Sequence, residues 1–226
     1  MGKILKTISA SPLFNGLHAD QHEKIRDITL WRDFKKGGLI FSEGDVANGL
    51  FIVASGAVKV FKASMDGKEQ ILHILGPGEP FGEVPVFSGQ SFPANAQATV
   101  DASVLFIKRS AFVNLIVKNP SLALNMLAFL SLRLRQFAVQ VESLSLKEVP
   151  GRLAGYIIYL SEQQKNTRKI YLGISKGQLA SLLGTIPETL SRIFLKMNQQ
   201  GLISVKGGEI EILDLEKLRR TSQRGL

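Results

Sequence analysis

The sequence predicts an α+β protein with an N-terminal antiparallel β-roll, one long helix and a C-terminal winged helix-turn-helix. Three observations support this prediction. Short apolar runs alternate with glycine turns in the first half, large apolar residues follow a heptad spacing after Pro120, and two helical patterns meet at Gly184 and Pro187. The predicted domains are the β-roll at 1–119, the long helix with a hinge at 120–149, and the helix-turn-helix at 150–226.

The β-roll is predicted from glycine turns that recur between residues 31 and 106, for example Glu43-Gly44-Asp45 and Gly76-Pro77-Gly78. The runs between these turns are short and rich in β-branched and aromatic residues, as strands are. Many short strands at such spacing are typical of an antiparallel roll. Strands are predicted at 39–41, 50–53, 57–61, 71–75 and 103–107, after a short helix at 19–28.

The long helix is predicted from large apolar residues that recur with alternating spacings of three and four. This spacing is the a/d seam of a coiled coil and favours pairing with a second copy of the chain, although a helix packed on its own domain is the alternative. The helix is expected to end near Pro150-Gly151, which would act as a hinge. The predicted dimer interface comprises Leu127, Leu130, Leu134, Phe137, Val141 and Leu144.

The helix-turn-helix is predicted from capping and turn residues. Ser175 is a suitable N-cap for a helix over 176–183, and Gly184 ends that helix. Pro187 suits the first turn of a second helix over 187–197. Two short strands at 201–205 and 209–212, joined at 206–208, predict a wing.

The charge distribution and the second helix together indicate a DNA-binding surface. The net charge is +9, and the residues from Gly151 onward hold twelve Lys and Arg against six Asp and Glu. Arg192 suits guanine O6 and N7, and Glu188 suits cytosine N4. The alternatives are a basic surface without a partner and a hairpin in which Glu188 and Arg192 form an i,i+4 pair. The predicted DNA-binding residues are Ser175, Lys176, Pro187, Glu188, Thr189, Ser191, Arg192 and Lys196.

Several classes of protein are excluded or disfavoured by composition. The chain has no cysteine, which excludes disulfides, thiolate zinc sites and a cysteine-held iron–sulfur cluster. A cupin-type metalloenzyme would need clustered histidines, but only His73 lies in the strand region, so no enzyme is expected. The N-terminus lacks the features of a signal peptide, and no apolar run approaches the roughly 20 residues of a membrane helix. We therefore expect a cytoplasmic protein without a membrane partner.

These patterns resemble the Crp/Fnr family of bacterial regulators over nearly the whole chain. The resemblance is carried by Glu43-Gly44-Asp45, residues 51–58, Phe81-Gly82-Glu83, the long helix and residues 187–192. It implies a cyclic-nucleotide-binding-like jelly roll that senses an effector, a homodimer, double-stranded DNA as a partner and contact with RNA polymerase. The Glu-x-x-Ser-Arg pattern of the second helix is similar to the Fnr type and implies TTGA-like inverted repeats.

The predicted effector pocket departs from the cyclic-AMP-binding pattern. Members that bind cyclic AMP hold its phosphate with an Arg-Ser pair, where this chain has Pro93-Ala94. No Lys or Arg occurs between Lys68 and Lys108, so a buried phosphodiester would lack a charged donor, and cyclic AMP is not expected. Glu83 would add repulsion, although capping of a local turn is its alternative role. The pocket residues are Phe81, Glu83, Pro93, Ala94 and Asn95.

The effector is predicted mainly from a finer resemblance. Residues 92–98 and 142–147 resemble the Dnr and HcpR branches, which respond to nitric oxide and imply haem as a cofactor. The iron ligand would come from His18, His22 or His73, or from Met65, Met126 or a tyrosine. Each histidine also has an ordinary structural role available. The alternatives are a regulator of this family that senses another small molecule, and a cyclic-nucleotide-type module that acts on a partner protein.

Overall fold

The computed structural model describes residues 2–166 and 168–224. The chain divides into two compact units, residues 1–134 and 135–226, and the long helix runs through the boundary between them. The predicted fold class is confirmed: strands dominate the first unit, and the second contains the helix-turn-helix. The division into three domains at 119 and 149 stays a prediction.

The first unit is a β-roll flanked by helices. Its helices are α1 Gly2–Ala10, α2 Ala19–Asp27, α3 Val84–Ser88 and α4 Arg109–Lys118, with a 3₁₀ turn at Pro12–Phe14. Its strands are β1 Thr29–Phe34, β2 Leu39–Phe41, β3 Gly49–Ser55, β4 Val58–Ala63, β5 Glu69–Leu75, β6 Pro80–Phe81, β7 Asn95–Ala98 and β8 Ala102–Lys108. All five predicted strands and the predicted helix at 19–28 are present, and β1, β6 and β7 are additional.

Two antiparallel four-stranded sheets form the roll, with strand orders β1-β8-β3-β6 and β2-β7-β4-β5. Alternate residues of a strand point to opposite faces of its sheet. In β3, Phe51 and Val53 belong to a core with strands of both sheets, whereas Leu50 and Ile52 pack with α1, α2 and α4. The first unit therefore has one core inside the roll and a second between the roll and its helices.

The long helix α5 spans Pro120–Leu146 and buries only one narrow face. Leu122, Met126 and Phe129, spaced at four and three residues, pack into the core formed with the flanking helices. By length and composition alone, α5 could cross a membrane, since its most apolar 18 residues have a mean hydropathy of 1.3. Its buried face and its predicted heptad seam account for these apolar residues without a bilayer.

The second unit holds the remaining elements around a single core. Its helices are α6 Val149–Gln163, α7 Lys176–Leu182, α8 Pro187–Gln199 and α9 Leu215–Arg224, and its strands are β9 Lys169–Tyr171, β10 Ile203–Lys206 and β11 Glu209–Ile212. The strands form a sheet of order β10-β11-β9, so the predicted wing is present and gains a third strand. Fully buried residues from α6, α7 and α8, among them Leu153, Leu179 and Leu190, share the core.

The break between α5 and α6 differs from the predicted hinge. Helix α5 already ends at Leu146, and α6 begins at Val149, so Pro150 and Gly151 lie inside the first turn of α6. Proline is well tolerated there, because the first amides of a helix have no intrahelical partner. The segment that changes direction is Lys147-Glu148.

Candidate nucleic-acid interface and effector pocket

Helix α7 begins and ends as its sequence predicts. The Ser175 hydroxyl accepts a hydrogen bond from the backbone amide of Gln178 at 3.2 Å, and the Gln178 side chain accepts one from the Ser175 amide at 2.9 Å. This reciprocal pair is a capping box. Gly184, which follows α7, has a φ of +63°, a conformation that glycine adopts without steric cost. Two helices joined by such a short turn are held at a fixed angle.

Helix α8 packs on α7 through one face only. Leu190, Ile193, Phe194 and Met197 are buried in the core of the second unit, at the spacing of one helical face. The Lys176 ammonium lies 5.9 Å from the centre of the Phe194 ring, so the start of α7 also touches α8. The opposite face of α8 is therefore directed to solvent.

The outward face of α8 carries the predicted base-contacting residues. Glu188, Ser191 and Arg192 are exposed, and so is Lys196. Within the described parts of the chain, neither Glu188 nor Arg192 forms an ion pair, so the alternative of an i,i+4 surface pair has no support. Pro187 is exposed at the start of the helix, and Thr189 is half-buried. Ser175 uses its hydroxyl in the cap of α7.

Sequence reasoning missed one residue of this face. Leu195 follows Glu188 by seven residues and Ser191 by four, which places it on the outward stripe of α8. Its side chain is 58% exposed, unlike Ile193 and Phe194. Its helical spacing from Glu188 was the available signal. The outward face therefore combines charged, polar and apolar groups.

The residues predicted at the dimer interface are largely uncovered in the isolated chain. Leu127, Leu134, Phe137 and Val141 are 44–71% exposed. Leu130 and Leu144 are half-buried, and Leu130 packs against the core shared with the flanking helices. A row of large apolar side chains in water is unfavourable, so this stripe suits a further contact.

The residues predicted to line the effector pocket have different surroundings. Phe81 is buried among stacked aromatic rings, with its ring centre 5.3 Å from that of Phe51, and Ala94 is buried. Pro93 is exposed, and its carbonyl oxygen accepts a hydrogen bond from Lys62. The Asn95 side chain accepts a hydrogen bond from the Glu43 amide at 2.9 Å. Hydrogen bonds therefore hold the segment 93–95 against the turn that contains Glu43.

Glycine at position 82 allows the aromatic rings to close together. Its φ is +70°, and a Cβ atom at this position would lie 3.1 Å from the Phe92 ring and 3.3 Å from the Phe41 ring. These two rings stack at 3.8 Å. The aromatic cluster fills the roll next to the Phe-Gly-Glu segment.

A polar cluster lies where α5 meets the roll. Arg133 of α5 lies 2.6 Å from His73 Nε2 and 3.5 Å from the Glu79 carboxylate, which also accepts the Gly76 amide at 2.7 Å. Burial raises the pKa of Glu83, which the charges of Arg133 and His73 only partly offset. Burial also acts on Glu79, but hydrogen bonds from His73 and Gly76 hold its pKa below the usual 4.5.

The prediction that the effector pocket lacks a positively charged side chain is wrong, because Arg133 lies beside His73 and Glu79. The count over residues 69–107 is right for the roll itself, but a long side chain from α5 reaches the same place. That guanidinium is already engaged by Glu79 and His73. The sequence places Arg133 on the polar side of the seam, whereas the structure leaves only 13% of its side chain exposed.

The three histidines lie in different surroundings. His18 is exposed at the start of α2, and His22 Nε2 lies 3.3 Å from the Phe14 carbonyl oxygen. His73 is half-buried in the polar cluster, which makes it the best placed of the three for a ligand inside the roll. Its Nε2 is the atom that would bind iron, and both Arg133 and the Glu79 carboxylate lie within hydrogen-bonding distance of it. Met65 is fully exposed and Met126 is buried in the core.

Both halves of the chain match domain families of known proteins. Residues 31–119 match the cyclic nucleotide-binding domain, and residues 151–221 match the Crp-like helix-turn-helix domain. The cyclic AMP receptor protein of Thermus thermophilus is 32% identical over 205 residues, which cover 91% of this chain and 94% of that protein. The transcriptional activator protein Anr of Pseudomonas aeruginosa is also 32% identical, over 81% of this chain and 76% of its own length.

Solved structures agree with the sequence relatives. FixK2 from Bradyrhizobium japonicum superposes with a TM-score of 0.78 at 25% identity, and the match covers 85% of this chain and 96% of that chain. Relatives with different names are equally similar in sequence, so similarity establishes the family and leaves the branch open. The chain belongs to the Crp/Fnr family of effector-responsive, DNA-binding transcription regulators.

Proposed function

We propose that this protein acts as a homodimer that reads TTGA-like inverted repeats in double-stranded DNA through the outward face of α8. The observation that carries the proposal is the set of Glu188, Ser191 and Arg192, exposed on a helix whose other face is locked into the core. A fixed helix with free polar groups in its first turns suits the major groove. The proposal includes contact with RNA polymerase and a cytoplasmic location.

The contacts divide into two kinds. Arg192 would donate two hydrogen bonds to guanine, and Glu188 would accept one from cytosine, so both would read sequence. Lys196, Ser175, Lys176 and Thr189 would contact phosphates and set the register of the protein on the duplex. Pro187 would fix the start of α8.

Selection of binding sites from random duplex DNA, followed by gel-shift measurements, tests this division. We expect Arg192→Ala to weaken binding by about 1–3 kcal/mol and to relax the preference for one guanine. Lys196→Ala should weaken binding to all sequences and reduce the salt slope by about one unit. Arg219→Ala, which removes an exposed arginine from α9, is the charge-matched control.

Two outcomes would contradict this proposal. Identical behaviour of the Arg192 and Lys196 variants would show that base and phosphate contacts are wrongly assigned. Selection of no inverted repeat by the unaltered protein would remove the proposed reading of DNA altogether.

For the effector, we propose a haem-based response to nitric oxide of the Dnr/HcpR kind, with His73 as the iron ligand. Support comes from the position of His73, which is half-buried and next to α5. Bound haem would supply an iron atom for nitric oxide, and Arg133 would have to release His73 Nε2. The other candidates are a regulator that senses another small molecule and a cyclic-nucleotide-type module. Cyclic AMP is not expected, because Pro93-Ala94 replaces the phosphate-binding pair.

Visible absorption spectra decide between these effectors. The protein reconstituted with haem should give a Soret band that shifts on addition of nitric oxide, and His73→Ala should lose it while His18→Ala and His22→Ala keep it. Haem uptake no better than that of an unrelated control protein would remove the haem proposal. Cyclic AMP that tightens DNA binding would instead establish the cyclic nucleotide as the effector.

A further inference from the structure

Arg152, in the first turn of α6, joins the ends of two other helices. Its Nε donates a hydrogen bond to the Leu183 carbonyl oxygen at 2.9 Å, directly after α7. One terminal nitrogen donates to the Lys147 carbonyl oxygen at 2.7 Å and lies 3.4 Å from that of Leu144, at the end of α5. All four residues belong to the second unit.

These carbonyl groups are the ones that a helix leaves unsatisfied. The last carbonyls of a helix have no intrahelical amide partner, and they form the negative end of the helix dipole. A guanidinium presents several donors in a rigid planar fork, so one side chain can satisfy carbonyls on two sides. Arg152 therefore closes the C-terminal ends of both α5 and α7.

The role of Arg152 is unlike that of an ordinary surface arginine. Within the described residues no carboxylate pairs with it, and its partners are backbone oxygens. Burial lowers the pKa of Arg152 below its usual value, a cost of holding this charge without a counter-ion. Because α7 is packed on α8 through the shared core, the position of Leu183 is tied to the position of α8.

We infer that Arg152 is a positioning residue that fixes the helix-turn-helix to the end of α5 and thereby sets the distance between the two α8 helices of a dimer. This inference rests on the proposed dimeric reading of DNA. Two half-sites are read together only when the α8 helices are about one DNA turn, roughly 34 Å, apart. One added base pair moves a half-site by about 3.4 Å and rotates it by about 35°. The loss of DNA affinity on a change of spacer length therefore measures how rigidly the helix-turn-helix is attached to the end of α5.

The test measures binding to the selected inverted repeat with its natural spacer and with spacers one base pair longer and shorter. We expect the unaltered protein to lose at least about tenfold in affinity on either change. Arg152→Gln should reduce this preference to about threefold or less, with the affinity for a single half-site and the salt slope unchanged within about twofold. Arg219→Gln removes the same charge from an exposed position on α9 and should keep the full preference.

A conservative variant separates positioning from folding. Arg152→Lys keeps the charge but has all its donors on one nitrogen and lacks the rigid planar fork, so its spacer preference should lie between those of the unaltered protein and Arg152→Gln. Should Arg152→Gln lack a cooperative thermal transition, the lysine variant carries the test.

The inference is overturned if Arg152→Gln or a folded Arg152→Lys keeps the full spacer preference. It is equally overturned if affinity falls by the same factor for every spacer, since that is the result of a merely structural role. An unaltered protein that binds DNA specifically but shows no preferred spacer would overturn the inference and leave sequence reading intact. An unaltered protein without specific binding would overturn the proposed function together with it.

Discussion

At the scale of single residues, the exposed leucine on the outward face of α8 predicts a contact that polar residues cannot make. Leu195 is 58% exposed beside Ser191 and Arg192. An apolar side chain in the major groove packs against the C5-methyl group of thymine. We therefore expect replacement of one thymine of the half-site by deoxyuridine, which lacks this methyl group, to weaken binding about three- to tenfold.

The matched variant is Leu195→Ala. The affinity of Leu195→Ala for thymine DNA should equal the affinity of the unaltered protein for deoxyuridine DNA. Replacement of thymine by deoxyuridine should then cause no further loss of affinity in the variant. Additive losses from the variant and the modified base would show that Leu195 does not contact the methyl group.

The two carboxyl groups near Arg133 predict opposite dependences of stability on pH. Burial raises the pKa of Glu83 in the folded state, so its contribution is favourable below about pH 4.5 and is lost as the pH rises through the folded value. The lowered pKa of Glu79 gives the reverse: its contribution is present above about pH 4.5 and is lost as the pH falls.

Thermal unfolding at pH 7 distinguishes the two groups. Glu79→Gln should lower the melting temperature by about 2–4 °C, because a charge-assisted interaction worth about 1 kcal/mol is lost. Glu83→Gln should raise the melting temperature, because a charge need no longer be buried. Shifts of the same sign in both variants would contradict this assignment.

The residues that sequence reasoning located, and those it missed, differ in what positions them. Glu188, Ser191 and Arg192 follow from the period of one helix, which a capping box and a proline fix locally. Arg133 contacts His73, 60 residues away in the chain, and Arg152 joins a carbonyl group close to it in the chain to that of Leu183, 31 residues away. No local pattern encodes the direction of such long side chains, so their roles required the structure.

At the scale of elements, helices and strands were predicted correctly where the hydrophobic periodicity and the turn residues agree. The missed β7 has the sequence Asn-Ala-Gln-Ala, which has low β-propensity and is a strand only because β2 and β4 flank it. The missed α4 begins at Arg109 without a side-chain cap. Tertiary contacts, which a local pattern does not contain, determine both elements.

The seam of α5 predicts a dimer that a single charge should break. Leu134 lies at an a position of the heptad and is 71% exposed in the isolated chain. A glutamate there would face its counterpart across the pair, and two buried like charges are strongly unfavourable. We expect Leu134→Glu to sediment as a monomer and to bind the inverted repeat at least about tenfold more weakly.

Leu132 supplies the control for this substitution. It is 54% exposed on the same helix but lies at the f position, opposite the seam. Leu132→Glu should remain a dimer. Dissociation by both variants, or by neither, would show that the seam is not the dimer contact.

At the scale of the whole molecule, the described residues of the two compact units share no hydrophobic core, and this predicts two separable unfolding transitions. Leu105 is fully buried between the roll and its helices, and Leu190 is fully buried in the helix-turn-helix unit. Truncation of a buried leucine to alanine costs about 2–5 kcal/mol. In calorimetry, Leu105→Ala should lower one transition by about 5–20 °C, and Leu190→Ala should lower the other.

These two transitions also show which unit binds a given ligand, whatever the chemistry of that ligand. A ligand at a hundred times its Kd stabilises the state that binds it by about 2.7 kcal/mol. An effector of the roll should therefore raise the transition that Leu105→Ala lowers, whereas the inverted repeat should raise the transition that Leu190→Ala lowers. Haem and cyclic AMP can be compared directly on this scale. A single transition, moved by both substitutions, would mean that the whole chain unfolds as one cooperative unit, which would contradict the prediction of two separable transitions.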